Sequence, residues 1–276
     1  MGTDSFSVVF TTYGGDDPAE VRTALDSIVD QTVVPDEIVI VEDGPVPDPL
    51  SDTIATFGRD HPELVAIYSL SENCGHGKAL QIGVEQCSHE FVAIMDADDI
   101  SVRKRFERQL SYLEDNPDVD LVGGYIAEFD KDPEDVVSIR TVPLSPEAVE
   151  RKARYRNPVN QTTAMFRRSS VINAGNYRGV ARMEDYDLWG RMLANGATIA
   201  NVPEVLAKVR GGTAMHSRRG GLEYAREEVR QQWSFLRIGF VSVPVFVLNL
   251  LIRIPVRLLS NRVRGLIYER LLRTDG

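Results

Sequence analysis

Three separated runs, FSVVFTT at residues 6–12, DEIVIVEDG at 36–44 and FVAIMDADD at 91–99, are apolar at consecutive positions and then stop on hydroxyls, acids or glycine. A strand covered on one face alternates apolar and polar side chains, so a run that is apolar at odd and even positions alike needs cover on both faces. The segments between the runs carry helical spacing. After a turn at Gly14-Gly15, Val21, Ala24, Leu25 and Ile28 fall on one face of a helix expected from residue 18 to about 30. A further strand-like run, LVAIYSL, precedes a helix predicted around GKALQIGVEQC. Strands alternating with helices and covered on both sides specify an α/β fold with a mostly parallel sheet between helical layers. Ligands of such sheets collect beyond the carboxyl ends of the strands, so the acids that end these runs mark where chemistry is expected.

The 276 residues, 43% of them hydrophobic, suffice for one large α/β domain with an appendage or for two small domains. A formal net charge of −10 argues against nucleic acid as a partner, because broad phosphate-backbone binding needs clustered Lys and Arg. Only 5 of the 31 basic residues are Lys, and 22 of the 41 acids are Asp. That bias fits a protein from a high-salt cell or from a GC-rich genome. Cys74 and Cys87 have neither CxxC spacing nor clustered His partners, which supports neither a zinc site nor a disulfide framework. MGTDSFSVVF lacks the basic flank and apolar run of a secretory signal, and Phe6 stands where a myristoylation signal needs Ser or Thr. The expected location is therefore the cytoplasm.

The last third of the chain differs in character. Residues 238–252 carry no charge, but the run is shorter than the ~20 residues that span a bilayer and contains Pro244. Beyond it Arg253, Arg257, Arg262, Arg264, Arg270 and Arg273 interleave with Leu, Ile and Val. Two readings fit: residues 238–276 lie on an anionic membrane surface, or they form a helical hairpin packed on the main domain or on a second copy of the chain in a homodimer. The expected division is a domain over residues 1–215 and a helical, amphipathic tail over 216–276.

Alternation along a strand turns Asp96 and Asp98 to one side and Ala97 to the other. Two carboxylates aimed together repel unless a cation lies near, and Mg²⁺ or Mn²⁺ takes such oxygens, typically one or two carboxylates plus substrate phosphates. The alternative is a solvated strand end, with Asp99 capping a helix begun by ISVRKRFERQLSYL. ENCGHGKA is not a phosphate loop, since Glu72 and Ala79 stand where Gly and Ser or Thr are required, and Leu80 breaks a dinucleotide fingerprint begun at Gly75. Lys78 is the segment's only Lys or Arg, placed either for a phosphate or for solvent. In ARMEDYDLWGRMLANG, Glu184, Asp185 and Asp187 crowd the first turn of a predicted helix that stops near Gly196. Acids there complement the helix dipole, and one of them held rigidly at a cleft would also serve as a general base.

In this order, SVVFTTY, PDEIVIVEDGP, ENCGHGKALQIG, IMDADD, NPVNQTTAMFRRS and MEDYDLW resemble family 2 glycosyltransferases with the GT-A fold, over roughly residues 5–215. The resemblance implies a Rossmann-like sheet flanked by helices, a nucleotide-diphosphate sugar donor (a UDP- or GDP-sugar), a divalent metal (Mn²⁺ or Mg²⁺) and inversion at the anomeric carbon. The implied acceptor is a lipid-linked glycan or surface polysaccharide, reached by an enzyme held peripherally on the cytoplasmic face of the membrane. By the same resemblance Thr11 and Tyr13 line the nucleotide base, Asp43 hydrogen-bonds it, and Lys78 lies beside the diphosphate. Asp96, Ala97 and Asp98 form the DxD segment, with Asp98 the direct metal ligand and Asp96 nearer the ribose. Asp185 matches the catalytic base, with Glu184 beside it, and Asp99 and His216 are weaker metal candidates. Three departures are visible: Glu42 where the family usually has Asp, Pro45 where Ser is common, and Gln161 where His is frequent. Two rival functions share parts of this pattern. A sugar nucleotidyltransferase normally carries a cationic Gly-rich loop after its first strand, which TTYGGDDPAE lacks, and a non-catalytic sugar-nucleotide-binding scaffold would not need Asp98 and Asp185.

Overall fold

The computed structural model describes residues 5–180, 182–211 and 221–258. The three apolar runs become strands β1 (Phe6–Thr12), β2 (Glu37–Glu42) and β4 (Phe91–Asp96), with β3 (Val65–Ser69) beside β2. These four pair in parallel in the order β3-β2-β1-β4. Their residues separate by parity as the pattern requires. Val8, Phe10, Ile38, Ile40, Ala93 and Met95 pack on one face with helices α1 (Pro18–Val29) and α2 (Asp48–Asp60), whereas Val9, Val39, Val41, Val92 and Ile94 pack on the other with α3 (His76–Gln86). Asp17 caps α1, accepting from the amides of Ala19 and Glu20, and Pro18 opens the helix where its missing N–H costs nothing.

Beyond β4 the sheet becomes mixed. A short β5 (Ile100–Ser101) leads to α4 (Arg105–Asp115), so the expected cap at Asp99 does not form; α4 begins after Lys104. Next come β6 (Leu121–Phe129), β7 (Val136–Arg140), α5 (Pro146–Ala153), a single 3₁₀ turn at Gln161–Thr163, β8 (Met165–Arg167), α6 (Arg168–Asn173), α7 (Glu184–Ala194) and β9 (Ile199–Arg210). The nine-stranded sheet runs β3-β2-β1-β4-β8-β6-β9-β5, with β7 attached to β6. β8 is antiparallel to both β4 and β6, while β9 is parallel to β6. The result is a mixed α/β sheet, parallel where the apolar runs predicted it.

α8 (Leu222–Arg237) and α9 (Val243–Leu258) form a hairpin. Pro244 does not interrupt a helix as expected; it lies in the first turn of α9, where Pro is tolerated. Phe235 fills the space left by Gly190 of α7 and meets Tyr186 edge-on at 5.0 Å. Asn249 donates to the carbonyl of Arg154 and to Gln232. Arg253 and Arg257 turn inward and both pair with Glu228, which is fully buried. The hairpin is thus packed on the main body by one face, and these two arginines serve that packing. The opposite face of α9 leaves Val243, Val247, Leu248, Leu251, Ile252 and Leu258 exposed, about one turn apart. Among the described residues no helix is long and apolar enough to cross a membrane. Arg262, Arg264, Arg270, Arg273 and His216 lie outside the described residues.

Candidate active site

The parallel register brings the ends of four strands together. Thr12 pairs with Glu42, Glu42 with Ser69, and Thr11 with Asp96. Strand order reverses here, since the chain leaves β1 toward β2 on one side and returns to β4 on the other, and that reversal opens the crevice in which α/β sheets bind ligands. β4 stops at Asp96, and Ala97 and Asp98 form a turn. Strand alternation therefore does not reach Asp98. The turn leaves Asp98 exposed, Asp96 partly exposed, and Ala97 and Asp99 buried.

Two cations compensate this acid cluster. Arg105 is completely buried beneath it, donating to the Ile94 carbonyl at 2.8 Å and to Gln109 Oε1 at 2.9 Å. Burial lowers its guanidinium to about 9, against the opposing pull of Asp96 and Asp99. The second is His76, the first residue of α3. Its Nδ1 bonds Glu184 Oε1 at 3.0 Å, and its Nε2 lies 3.8 Å from Asp96 Oδ1. Burial disfavours the charged imidazole, but Glu184, Asp96 and Asp185 outweigh it and raise His76 to about 9.

Asp96 is pushed up to about 6, first by burial and then by Asp98, Glu184 and Asp185, with His76 opposing. Its Oδ1 is buried without a hydrogen-bond partner. Asp99 is raised well above the usual carboxylate range, mainly by burial and by Asp96 and Asp98, while the Arg210 amide donates to its Oδ1 at 3.3 Å. A buried carboxylate oxygen that makes no hydrogen bond, with His76 at 3.8 Å and a second, exposed carboxylate two residues on, suits a hard divalent cation that completes its shell with phosphate oxygens. The described residues hold no group of three His, Cys, Asp or Glu arranged for a metal; among them Asp96 and Asp98 are the strand-end carboxylates on which such a cation would rest.

On the opposite wall, α7 presents its first turn. Asp185 Oδ2 accepts from Asn157 Nδ2 at 2.5 Å and Oδ1 from the Tyr186 amide at 2.6 Å. Burial and the adjacent Glu184 raise its carboxyl to about 6 in spite of those two donors. Asp187 does not join the pair; it is buried in an ion pair with Arg191 at 2.8 Å. A cleft of ≈320 Å³ is lined by Cys74, Gly75, His76, Gly77, Gly179, Val180, Arg182 and Glu184. Its wall depends on Gly77, because a Cβ there would stand 2.2 Å from the Arg178 carbonyl.

The remaining sequence-derived residues are placed as follows. Asp43 is buried, and its two carboxylate oxygens accept from the amides of Cys74 (2.7 Å) and Gly75 (3.0 Å), fixing the loop that delivers His76. Thr11 is buried in register with Asp96, and Tyr13 is half exposed with its ring where a Gly15 side chain would be. Lys78 Nζ donates to Gln81 on its own helix at 3.0 Å. Glu42 accepts from Ser69, and Gln161 Nε2 is buried without a partner. Sequence reasoning missed His76, Asn157 and Arg105. For His76 a signal existed, an imidazole opening a helix right after Gly75. Neither Asn157 nor Arg105 has one: Asn157 bonds Asp185, which is distant in sequence, and Arg105 lies buried beneath the strand-end acids.

The mixed sheet, with acids at the ends of its parallel strands and a second acid pair in the first turn of α7, has the GT-A fold. The structure superimposes on a mannosyltransferase from Pyrobaculum calidifontis in complex with GDP-Man and Mn²⁺ (TM-score 0.65, 19% identity, 98% of this chain and 76% of that one). It likewise matches S. aureus TarS 1–349 in complex with UDP-GlcNAc (TM-score 0.67, 17% identity, 99% and 74%). The model of the family described as "Glycosyl transferase family 2" matches residues 7–175, and the chain belongs to that family. It is 38% identical to the amylovoran biosynthesis glycosyltransferase AmsE of Erwinia amylovora, over 96% of this chain and 98% of that protein. It is 35% identical to the UDP-Gal:alpha-D-GlcNAc-diphosphoundecaprenol beta-1,3-galactosyltransferase of Escherichia coli, over 98% of each.

Proposed function

We propose that this glycosyltransferase moves a sugar, with inversion, from a nucleotide-diphosphate sugar to a hydroxyl of a lipid-linked glycan or surface-polysaccharide precursor. The observation that carries the reading is the His76 bridge, which places the Glu184–Asp185 pair within one imidazole of Asp96. Inversion needs a leaving-group site and a base on opposite faces of the anomeric carbon; in this reading the strand-end acids serve the first and the α7 acids the second. Asp185 is the base. The acceptor oxygen attacks as the bond from the anomeric carbon to the diphosphate oxygen breaks, and the hydroxyl proton passes to Asp185. Two donors hold the Asp185 carboxylate in place, and Glu184 orients His76.

Asp98 and Asp96 would hold Mn²⁺ or Mg²⁺, which when bound supplies positive charge for the departing diphosphate. Thr11, Tyr13 and the Asp43-held loop form the nucleoside side of the crevice, with Ala97 closing its floor. The acceptor class follows the two curated relatives named above, one of which acts on a diphosphoundecaprenol-linked sugar. Such an acceptor lies in a membrane, and the exposed apolar face of α9 supports peripheral attachment there, at the cytoplasmic side where sugar nucleotides are made.

Incubation with UDP- and GDP-sugars, Mn²⁺ and lipid-linked acceptor releases free nucleoside diphosphate and a glycosylated lipid. Release of pyrophosphate would indicate nucleotidyl transfer and refute the reading. Asp185→Asn keeps donor binding and loses transfer; unchanged turnover would remove Asp185 as the base.

A further inference from the structure

A second concavity, of ≈520 Å³, lies between α8 and the segment before α7, lined by Arg178, Arg230, Trp233, Ser234, Arg237 and Ile238. Three of its six lining residues are arginines. Arg230 pairs with Glu227 at 2.6 Å. Among the described residues, no carboxylate pairs with Arg178 or Arg237. Several other arginines do meet acids, as Arg191 does Asp187 and Arg253 does Glu228. Two guanidinium groups left for one external anion match a diphosphate bridging two carbon groups, which is a dianion with one acidic oxygen on each phosphorus.

The groove's position selects among diphosphates. Arg178 lines it, while the next two residues, Gly179 and Val180, line the catalytic cleft. The Arg178 carbonyl is seated against Gly77, so this wall is shared and fixed. The groove and the cleft are therefore neighbours along residues 178–180. Two of the groove's lining residues, Trp233 and Ile238, are exposed, and Val243 and Val247, a few residues beyond Ile238, begin the exposed apolar face of α9. An anion site between a catalytic cleft and an apolar, membrane-facing ridge fits a lipid chain joined through diphosphate to a sugar. We propose that Arg178 and Arg237, with Trp233 beside them, bind the diphosphate of a polyprenyl-diphosphate-linked acceptor. This rests on the lipid-linked acceptor reading above and assigns its subsite.

The test uses the full chain with vesicles of phosphatidylcholine alone, with added phosphatidylglycerol, or with added polyprenyl diphosphate of equal total charge. The wild type sediments most tightly with the polyprenyl diphosphate vesicles, and inorganic pyrophosphate competes. Arg178→Gln/Arg237→Gln loses about tenfold or more of that binding, equivalent to roughly 1.4 kcal/mol, whereas Arg237→Lys retains part of it. In transfer assays the double variant raises the acceptor KM with little change in kcat or donor KM. Circular dichroism and donor binding confirm its folding; if it does not fold, the single charge reversal Arg237→Glu takes its place. Equal binding to phosphatidylglycerol and polyprenyl diphosphate, or an unaltered acceptor KM in the variant while lipid-linked acceptor is still glycosylated, overturns the subsite and leaves the function standing. Arginine-dependent binding of polyprenyl diphosphate without sugar transfer overturns the function and leaves the subsite.

Discussion

Replacing Asn157 by Ala tests the base assignment without touching the base. Asp185 carries two hydrogen bonds, from Asn157 Nδ2 at 2.5 Å and from the Tyr186 amide at 2.6 Å, and both favour its charged form. Burial and Glu184 favour the neutral form and win, leaving the carboxyl near 6. A base works only when deprotonated, so transfer falls as pH drops through that value, about tenfold per unit. Removing Asn157 deletes a hydrogen bond to a charged group, worth roughly 1.5–3 kcal/mol, at about 1.36 kcal/mol per pKa unit. With water replacing part of the bond, the Asp185 pKa rises by about one unit and the acidic limb of kcat moves to higher pH by the same amount. The assay is initial-rate transfer from pH 5 to 9 at saturating donor and acceptor. Asp96 also lies near 6, but Asn157 does not contact it, so only a limb set by Asp185 moves. An acidic limb unchanged in Asn157→Ala, with transfer otherwise retained, would refute Asp185 as the titrating base.

Glu228→Gln takes the Glu228 carboxylate away from Arg253 and Arg257, and loss of one member of a buried ion pair costs about 3–5 kcal/mol, read as a lower Tm; an unchanged Tm would show the α9 arginines re-solvating freely. Gly77→Ala places a Cβ 2.2 Å from the Arg178 carbonyl, so the cleft wall shifts and overpacking costs about 1–3 kcal/mol, measured by denaturant unfolding together with a raised KM. Asp98→Asn abolishes the thermal shift produced by Mn²⁺ with sugar nucleotide while the unliganded stability stays within about 0.5 kcal/mol of wild type, since Asp98 is exposed; a retained shift would move the metal elsewhere.

Much of the fold was legible because burial on both faces leaves a local trace. Residues 8–10, 38–41 and 92–95 are apolar at both parities, and the structure divides each set between two cores. The start of α1 was equally plain, since Asp17 and Pro18 act on their own neighbours. Reading failed where a side chain answers to a distant one. Asp99 has the look of a cap, yet the chain makes a short strand before α4, and its carboxyl meets the Arg210 amide, 111 residues on. For Arg253 and Arg257 the sequence left a membrane surface and a packed hairpin both open, and Glu228, in the preceding helix, pairs with both.

By itself, then, the sequence determined the layered α/β architecture, the crevice at the strand ends and the acids that occupy it, because period and strand termini are properties of contiguous residues. Only the tertiary structure decided how those acids coexist. His76 comes from the α3 terminus through the Asp43-held loop, Asn157 from before the 3₁₀ turn, and Arg105 from beneath β4. Charge compensation acts through space over a few ångströms, and which groups come within that range is fixed by packing rather than by order along the chain.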